Sequence, residues 1–294
     1  MLLNRWDVSK SYREKEWWFS YLYDPERQVY FSWAFVRVFW TERVRFWFVD
    51  LREGRTWNFE RDLAFAPPER PGQLDLSYRG RDFEVSFQGD PRGTARLHLT
   101  DPRFRIHLDI TRSPTPFTRR DNFFSNHYFL LHHFQDHVRG TLELDGHRYE
   151  VDTRHSYYDH CYGVLPSKTA WHWVAVQNGE LALASLRNYG PDAQRYTQVF
   201  VDGRWIRLSP EVAFEYDPKN LMAPWRLTSE ELDLEIQPLQ CHQERAAIPP
   251  VLPFLIDVSH AELFVEMRGR IRVEGRWREV ESLRGVMEEH HGRW

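Results

Sequence analysis

Cysteine, lysine and long apolar runs are what this 294-residue chain has least of. Its only cysteines, Cys161 and Cys241, are too few for a disulfide framework and lack the paired spacings of a zinc ribbon. One long-range bridge is open to them, and a reduced interior is the simpler reading. No stretch of about 18 uncharged apolar residues occurs, which argues against a membrane-spanning helix. The N-terminus, "MLLNRWDVSKSYREKEWW", lacks the apolar centre of a signal peptide. A soluble, cytoplasmic protein is expected unless a leader has been removed. Lysine stands only at positions 10, 15, 168 and 219, and the net charge is −4, so there is no electrostatic footprint for nucleic acid. Helical periodicity is scarce as well, with weak stripes around residues 132 to 138 and in the last ten residues.

What is abundant is aromatic: 16% of the chain, with 13 Trp, which must be buried in a core or around an apolar ligand. The dominant period is two. In "DPRFRIHLDIT" the residues Phe104, Ile106, Leu108 and Ile110 alternate with Arg103, Arg105, His107 and Asp109, a strand with one wet and one dry face. "RDFEVSFQGD", "LDLEIQPL" and "GRIRVEGRW" repeat the pattern, and Asp24-Pro25, Asp145-Gly146 and Asp202-Gly203 read as hairpin turns between such runs. "VYFSWAFVRVFW" and "RVRFWFVDL" are apolar on both faces, so each is covered on both sides, either as the wall of a ligand barrel or in a dry sandwich. An all-β protein of antiparallel strands follows.

Three Pro-rich connections break the strands: "AFAPPERPG" (64 to 72), "RSPTPFTRRDN" (112 to 122) and "AAIPPVLPF". The second is the better domain boundary, because a new run of strands begins after it. Two domains are expected, 1–125 and 126–294.

"EWWFSYLYDPERQVYFSWAFVRVFW" resembles the opening strand pair of the carotenoid 1,2-hydratase (hydroxyneurosporene synthase) and AttH-like family. "GTLELDGHRYEVDTRHSYYDHCYGVLPSKTAWHWVAVQ" is similar to the run that opens that family's second domain. "APWRLTSEELDLEIQPL" and the closing "FVEMRGRIRVEGRWREVESLRGVMEEHHGRW" follow in the family's order, so the resemblance covers nearly the whole chain. Two positions depart: Cys161-Tyr162 and Val265 stand where relatives carry tryptophan. The resemblance implies two consecutive lipocalin-like antiparallel β-barrels packed side by side, related to tocopherol cyclase-like enzymes. It also implies acid-catalysed hydration, cyclisation or isomerisation of an isoprenoid-like substrate, with no cofactor and no metal. The partner implied is a hydrophobic isoprenoid or lipid ligand, a class that brings peripheral membrane contact with it. A lipid carrier with the same barrels and no chemistry is the competing reading.

Protonating a carbon–carbon double bond requires a carboxylic acid kept protonated by burial, and aromatic faces to stabilise the cation that forms. Asp159, within "HSYYDHCYG", is the candidate acid, with His160 as its orienter and Tyr157 and Tyr158 near enough to line the same cavity. The plain alternative is a solvated turn residue in a loop leading into a barrel wall. Trp171 and Trp173 share one strand face and form, with Tyr158, the expected cation-stabilising wall; core packing is the alternative. Glu16, on the strand face of Trp18, is a second acid or the anchor of an arginine, and Glu266 carries the same two readings. His127, His132, His133 and His137, with His290 and His291, are raw material for a metal site, or are strand residues pointing to both faces. Cys161 lacks the separated base of a thiol nucleophile.

Overall fold

In the computed structural model, residues 14–38, 41–64, 74–114, 117–123, 126–164, 168–189, 195–247 and 257–293 are described. The Pro-rich residues 65–73, 115–116 and 248–256 lie outside them. The all-β expectation is met: every regular element among the described residues is a strand, and no helix there is long and apolar enough to cross a membrane. The segments with weak helical stripes, 132–138 and the chain's last ten residues, are strands too.

The chain forms two compact units, Met1–Val164 and Leu165–Trp294. The first contains β1 (Glu14–Asp24), β2 (Val29–Val38), β3 (Thr41–Asp50), β4 (Arg55–Asp62), β5 (Leu74–Arg79), β6 (Glu84–Gly89) and β7 (Thr94–Thr100). It continues through β8 (Phe104–Thr111), β9 (Phe117–Phe123), β10 (Asn126–Phe134), β11 (His137–Leu144), β12 (His147–Thr153) and β13 (Ser156–Val164). These make a seven-stranded sheet in the order β4-β3-β2-β1-β13-β10-β9 and a six-stranded sheet in the order β12-β11-β8-β7-β6-β5. Phe31, Trp33 and Phe35 from the first sheet and Phe87, Leu97 and Leu108 from the second share one apolar core, as period-two strands with one dry face require. Tyr149 on β12 donates to Asp50 Oδ2 on β3 at 3.0 Å, tying the two sheets along one border.

The division therefore falls at Val164 and not near residue 125. The strands that follow the "RSPTPFTRRDN" connection return to the first unit: β10 and β13 extend the sheet of β1 to β4, while β11 pairs with β8.

The second unit is one nine-stranded sheet, made of β14 (Lys168–Gln177), β15 (Ala182–Asn188), β16 (Arg195–Val201), β17 (Arg204–Leu208), β18 (Ala213–Glu215), β19 (Trp225–Thr228), β20 (Leu232–Ala247), β21 (Asp257–Val273) and β22 (Arg276–Arg293). Its order is β17-β16-β15-β14-β22-β21-β20-β19-β18. Val174, Leu183 and Val199 from one side of this sheet pack with Trp225, Leu234 and Leu263 from the other, so the sheet curls around its own core. Register breaks at Pro238/Gln240 and Met267/Gly269 bend the long strands β20 and β21. Gly269 (φ 134°) is required there, because a Cβ at this position would sit 2.2 Å from the Asp233 carbonyl oxygen. The Asp145-Gly146 and Asp202-Gly203 pairs, both with positive φ, are tight hairpin turns as the sequence predicts.

Candidate active site

The stretch "HSYYDHCYG" is not a loop: Ser156 onward is strand β13, held between β1 and β10. Its side chains therefore alternate. Tyr158 and His160 turn to the apolar core of the first unit, and Tyr157, Asp159 and Cys161 turn to the far face of the sheet. Both faces are buried. Asp159 and His160, adjacent in sequence, thus lie on opposite sides of the wall, so His160 does not orient Asp159.

On the far face, Asp159 is 7% exposed and sits directly across from His132 on β10. Tyr157 joins them: its hydroxyl is 3.3 Å from Asp159 Oδ2 and forms a short hydrogen bond with His132 Nδ1. Burial holds the His132 imidazole neutral, lowering its pKa to about 3. Aromatic rings continue from this group. Phe134 lies 4.7 Å from the Tyr157 ring, Tyr21 5.6 Å and Phe19 6.4 Å, and Tyr21 leads on through Tyr30 to Trp47. Lys15 shares this face, and burial lowers its pKa to about 7. The arrangement is a carboxyl, a phenol and a neutral imidazole in series beside buried aromatic surface, which is able to hold and release one proton.

The core face is chemically different. His160 stacks on Trp18, with centroids 5.0 Å apart and planes 9° apart, and its Nε2 donates to Glu16 Oε1 at 2.8 Å. Glu16, 2% exposed, thus has an imidazole as a partner, and it also faces Arg37, whose positive charge it favours, across the β1–β2 pairing. Tyr158 lies under the Arg112 guanidinium, 3.8 Å from its ring centroid, and burial pushes its phenol pKa up.

The remaining candidates belong to the second unit. Trp171 and Trp173 do share a face of β14, the one turned away from that unit's apolar core. They sit among polar groups: Trp171 stacks on His290 at 3.6 Å and donates to Glu288 Oε2 at 3.1 Å, and Trp173 donates to the Tyr196 hydroxyl at 3.2 Å. Burial alone would raise the Glu266 pKa. Hydrogen bonds from Ser282 and Arg284, with the charges of Arg284 and Arg268, outweigh it and hold the carboxyl below the usual range. Glu266 is therefore an ion-pair anchor and not a proton donor.

The histidine cluster disperses. His132 and His133 point to opposite faces of β10, while His137 on β11 pairs with Asp152 at 2.6 Å. The His127 side chain lies outside the described residues. Neither Cys161 nor Cys241 is in a disulfide. Sequence reasoning missed the partnership of His132 with Asp159. The β11–β12 hairpin separates β10 from β13 along the chain, and no local spacing signals their pairing.

A family model described as a domain of unknown function, DUF2804, matches residues 2–294. No curated protein matches the sequence. Among solved structures, a Nitrosomonas europaea protein described as an AttH is similar, with a TM-score of 0.66 and 16% identity over 94% of this chain and 92% of that one. Kievitone hydratase from Nectria haematococca is similar with a TM-score of 0.65 and 15% identity, over 94% and 88% of the two chains. CghA, solved with Sch210972, gives 0.63 and 14% over 96% and 89%. At these identities the likeness shows the fold, a lipocalin-like β architecture.

Proposed function

The chain belongs to the DUF2804 family, and we propose that it is a cofactor-independent enzyme of acid-catalysed hydration, cyclisation or isomerisation on an unsaturated, isoprenoid-like substrate. The observation that carries this reading is the buried Asp159–Tyr157–His132 series on an aromatic face. In the resting state Asp159 carries its proton toward the Tyr157 oxygen, and Tyr157 donates to the neutral His132 Nδ1. Asp159 transfers its proton to one carbon of a substrate double bond, leaving a cation on the other. The carboxylate left behind then accepts a hydrogen bond from Tyr157, which limits the cost of a buried charge. The ring faces of Tyr157, Phe19 and Tyr21 stabilise the cation. In a hydration water captures the cation and the protonated alcohol gives its extra proton to the Asp159 carboxylate; in a cyclisation or isomerisation a neighbouring carbon loses a proton to that carboxylate. Either route restores the acid. Trp171 and Trp173 offer the same kind of aromatic surface in the second unit. Two structural neighbours, kievitone hydratase by its name and CghA as a protein solved with a small molecule, support a fold suited to such work.

The test is incubation of the full-length protein in D2O with neurosporene, squalene, geranylgeraniol and kievitone, followed by mass spectrometry. Deuterium at carbon, with or without the added mass of water, is expected with the wild type and is reduced at least about a hundredfold in Asp159→Asn. Equal incorporation by both proteins would remove Asp159 as the donor. Saturable binding with the lipid recovered unaltered would instead make the protein a carrier.

A further inference from the structure

Strand register sets four core-facing side chains in one row across the seven-stranded sheet. Trp33 on β2 lies opposite Ser20 on β1, Ser20 opposite Tyr158 on β13, and Tyr158 opposite His133 on β10. All four residues are buried. Trp33 Nε1, Ser20 Oγ and the Tyr158 hydroxyl have no hydrogen-bond partner among the described residues, while the His133 ring has the Ser113 backbone and, 3.8 Å from Nδ1, Asp136 Oδ1 beside it. Arg112, just beyond β8 of the facing sheet, covers the row. Its Nη1 donates to Asp136 Oδ2 at 2.7 Å, while its Nε and Nη2 are buried without a partner among the described residues. Buried polar groups are nearly always satisfied, and each exception is costly. So many side by side would offset much of the stability of an ordinary domain. A bound molecule or buried water is the partner that such a row calls for.

Its chemistry narrows what that is. Arg112 and Trp33 only donate, whereas Ser20, Tyr158 and a neutral imidazole both donate and accept. The Nε–Nη2 edge left open on Arg112 is the edge that takes a carboxylate side-on through two parallel N–H···O bonds. Asp136 already offsets the Arg112 charge, and burial with the Arg112 charge keeps His133 neutral. An incoming acid therefore finds an acceptor for its own proton in His133. Phe87, edge-on to both Trp33 and Tyr158 at 6.0 and 6.1 Å, closes the row from above and restricts the group to a small one.

We propose that the core of the first unit carries an internal site for the carboxyl group of a small organic acid, held by Arg112, Tyr158 and His133. The site lies on the face of β13 opposite to Asp159 and does not depend on the reaction proposed above.

Full-length protein dialysed free of carboxylates is titrated calorimetrically with sodium acetate, with acetamide as the neutral isostere, and melted in acetate and in chloride of equal ionic strength. One acetate per chain is expected, with acetamide at least about tenfold weaker and a higher melting temperature in acetate than in chloride. Tyr158→Phe should weaken acetate by about tenfold, one hydrogen bond's worth. Should that variant not fold, His133→Phe, which removes the imidazole acceptor, reads the same site. Absence of saturable heat, equal melting in acetate and chloride, or undiminished affinity in the folded variant would overturn the proposal and leave the row to bound water.

Discussion

The two faces of β13 are made by the same nine residues and share no chemistry. On the far face Tyr157 and Asp159 meet a neutral histidine and a run of aromatic rings. On the core face Tyr158 and His160 meet an arginine, a glutamate and an indole. Neighbours in sequence are here strangers in space, and residues 25 to 27 positions apart are partners. A strand therefore separates functions between odd and even positions more sharply than along its length.

Substitutions in pairs sharpen or break that separation. The largest contrast is in turnover: Asp159→Asn loses at least about a hundredfold, whereas His160→Gln loses activity only in proportion to the folded fraction, measured by circular dichroism in the same sample. Equal losses per folded molecule would mean that the faces cooperate. Stability should show the reverse order. His160→Ala leaves the buried Glu16 without its imidazole and costs on the order of 3 kcal/mol in urea unfolding. Asp159→Asn, which keeps the shape and a hydrogen-bonding amide, costs about 1 kcal/mol. Next comes pH. His132, with a folded-state pKa of about 3, takes up its proton far more readily when unfolded. Its contribution is thus fully present above about pH 6.5 and is lost as pH falls toward 3. His133 and His172 are shifted in the same direction. His132→Gln should therefore flatten the slope of stability against pH between 6 and 4 by about one proton, and an unchanged slope would contradict a buried neutral His132. The smallest effect is expected from Tyr157→Phe, which should slow turnover about tenfold and leave urea unfolding within about 1 kcal/mol of wild type.

Much of the architecture was legible because period two is a local signal. Phe104 to Ile110 alternate in burial as they do in hydropathy, and the Asp-Gly pairs turn where they stand. Long-range pairing was not legible. A boundary near residue 125 suited the Pro-rich break, yet β10 and β13 return across the β11–β12 hairpin to β1. The same limit shaped the candidate site: Asp159 could be singled out as a candidate from its residue type and surroundings, while its cross-strand neighbour, His132, depends on a register that no short window of sequence contains. Trp171 and Trp173 were rightly placed on one face, but the carboxylate and imidazole beside them come from the other end of the unit, on β22.

Cys161 gives this wall a clock. Its thiol is outside any disulfide, completely enclosed, and set two residues from Asp159 on the same face. A thiol reagent can reach it only when the packing that encloses this face of β13 opens. The rate of labelling in native buffer therefore counts those openings, and its dependence on urea tells whether they are local or come only with unfolding of the whole unit. This buried thiol thus makes the breathing of the wall measurable without altering a single atom of it.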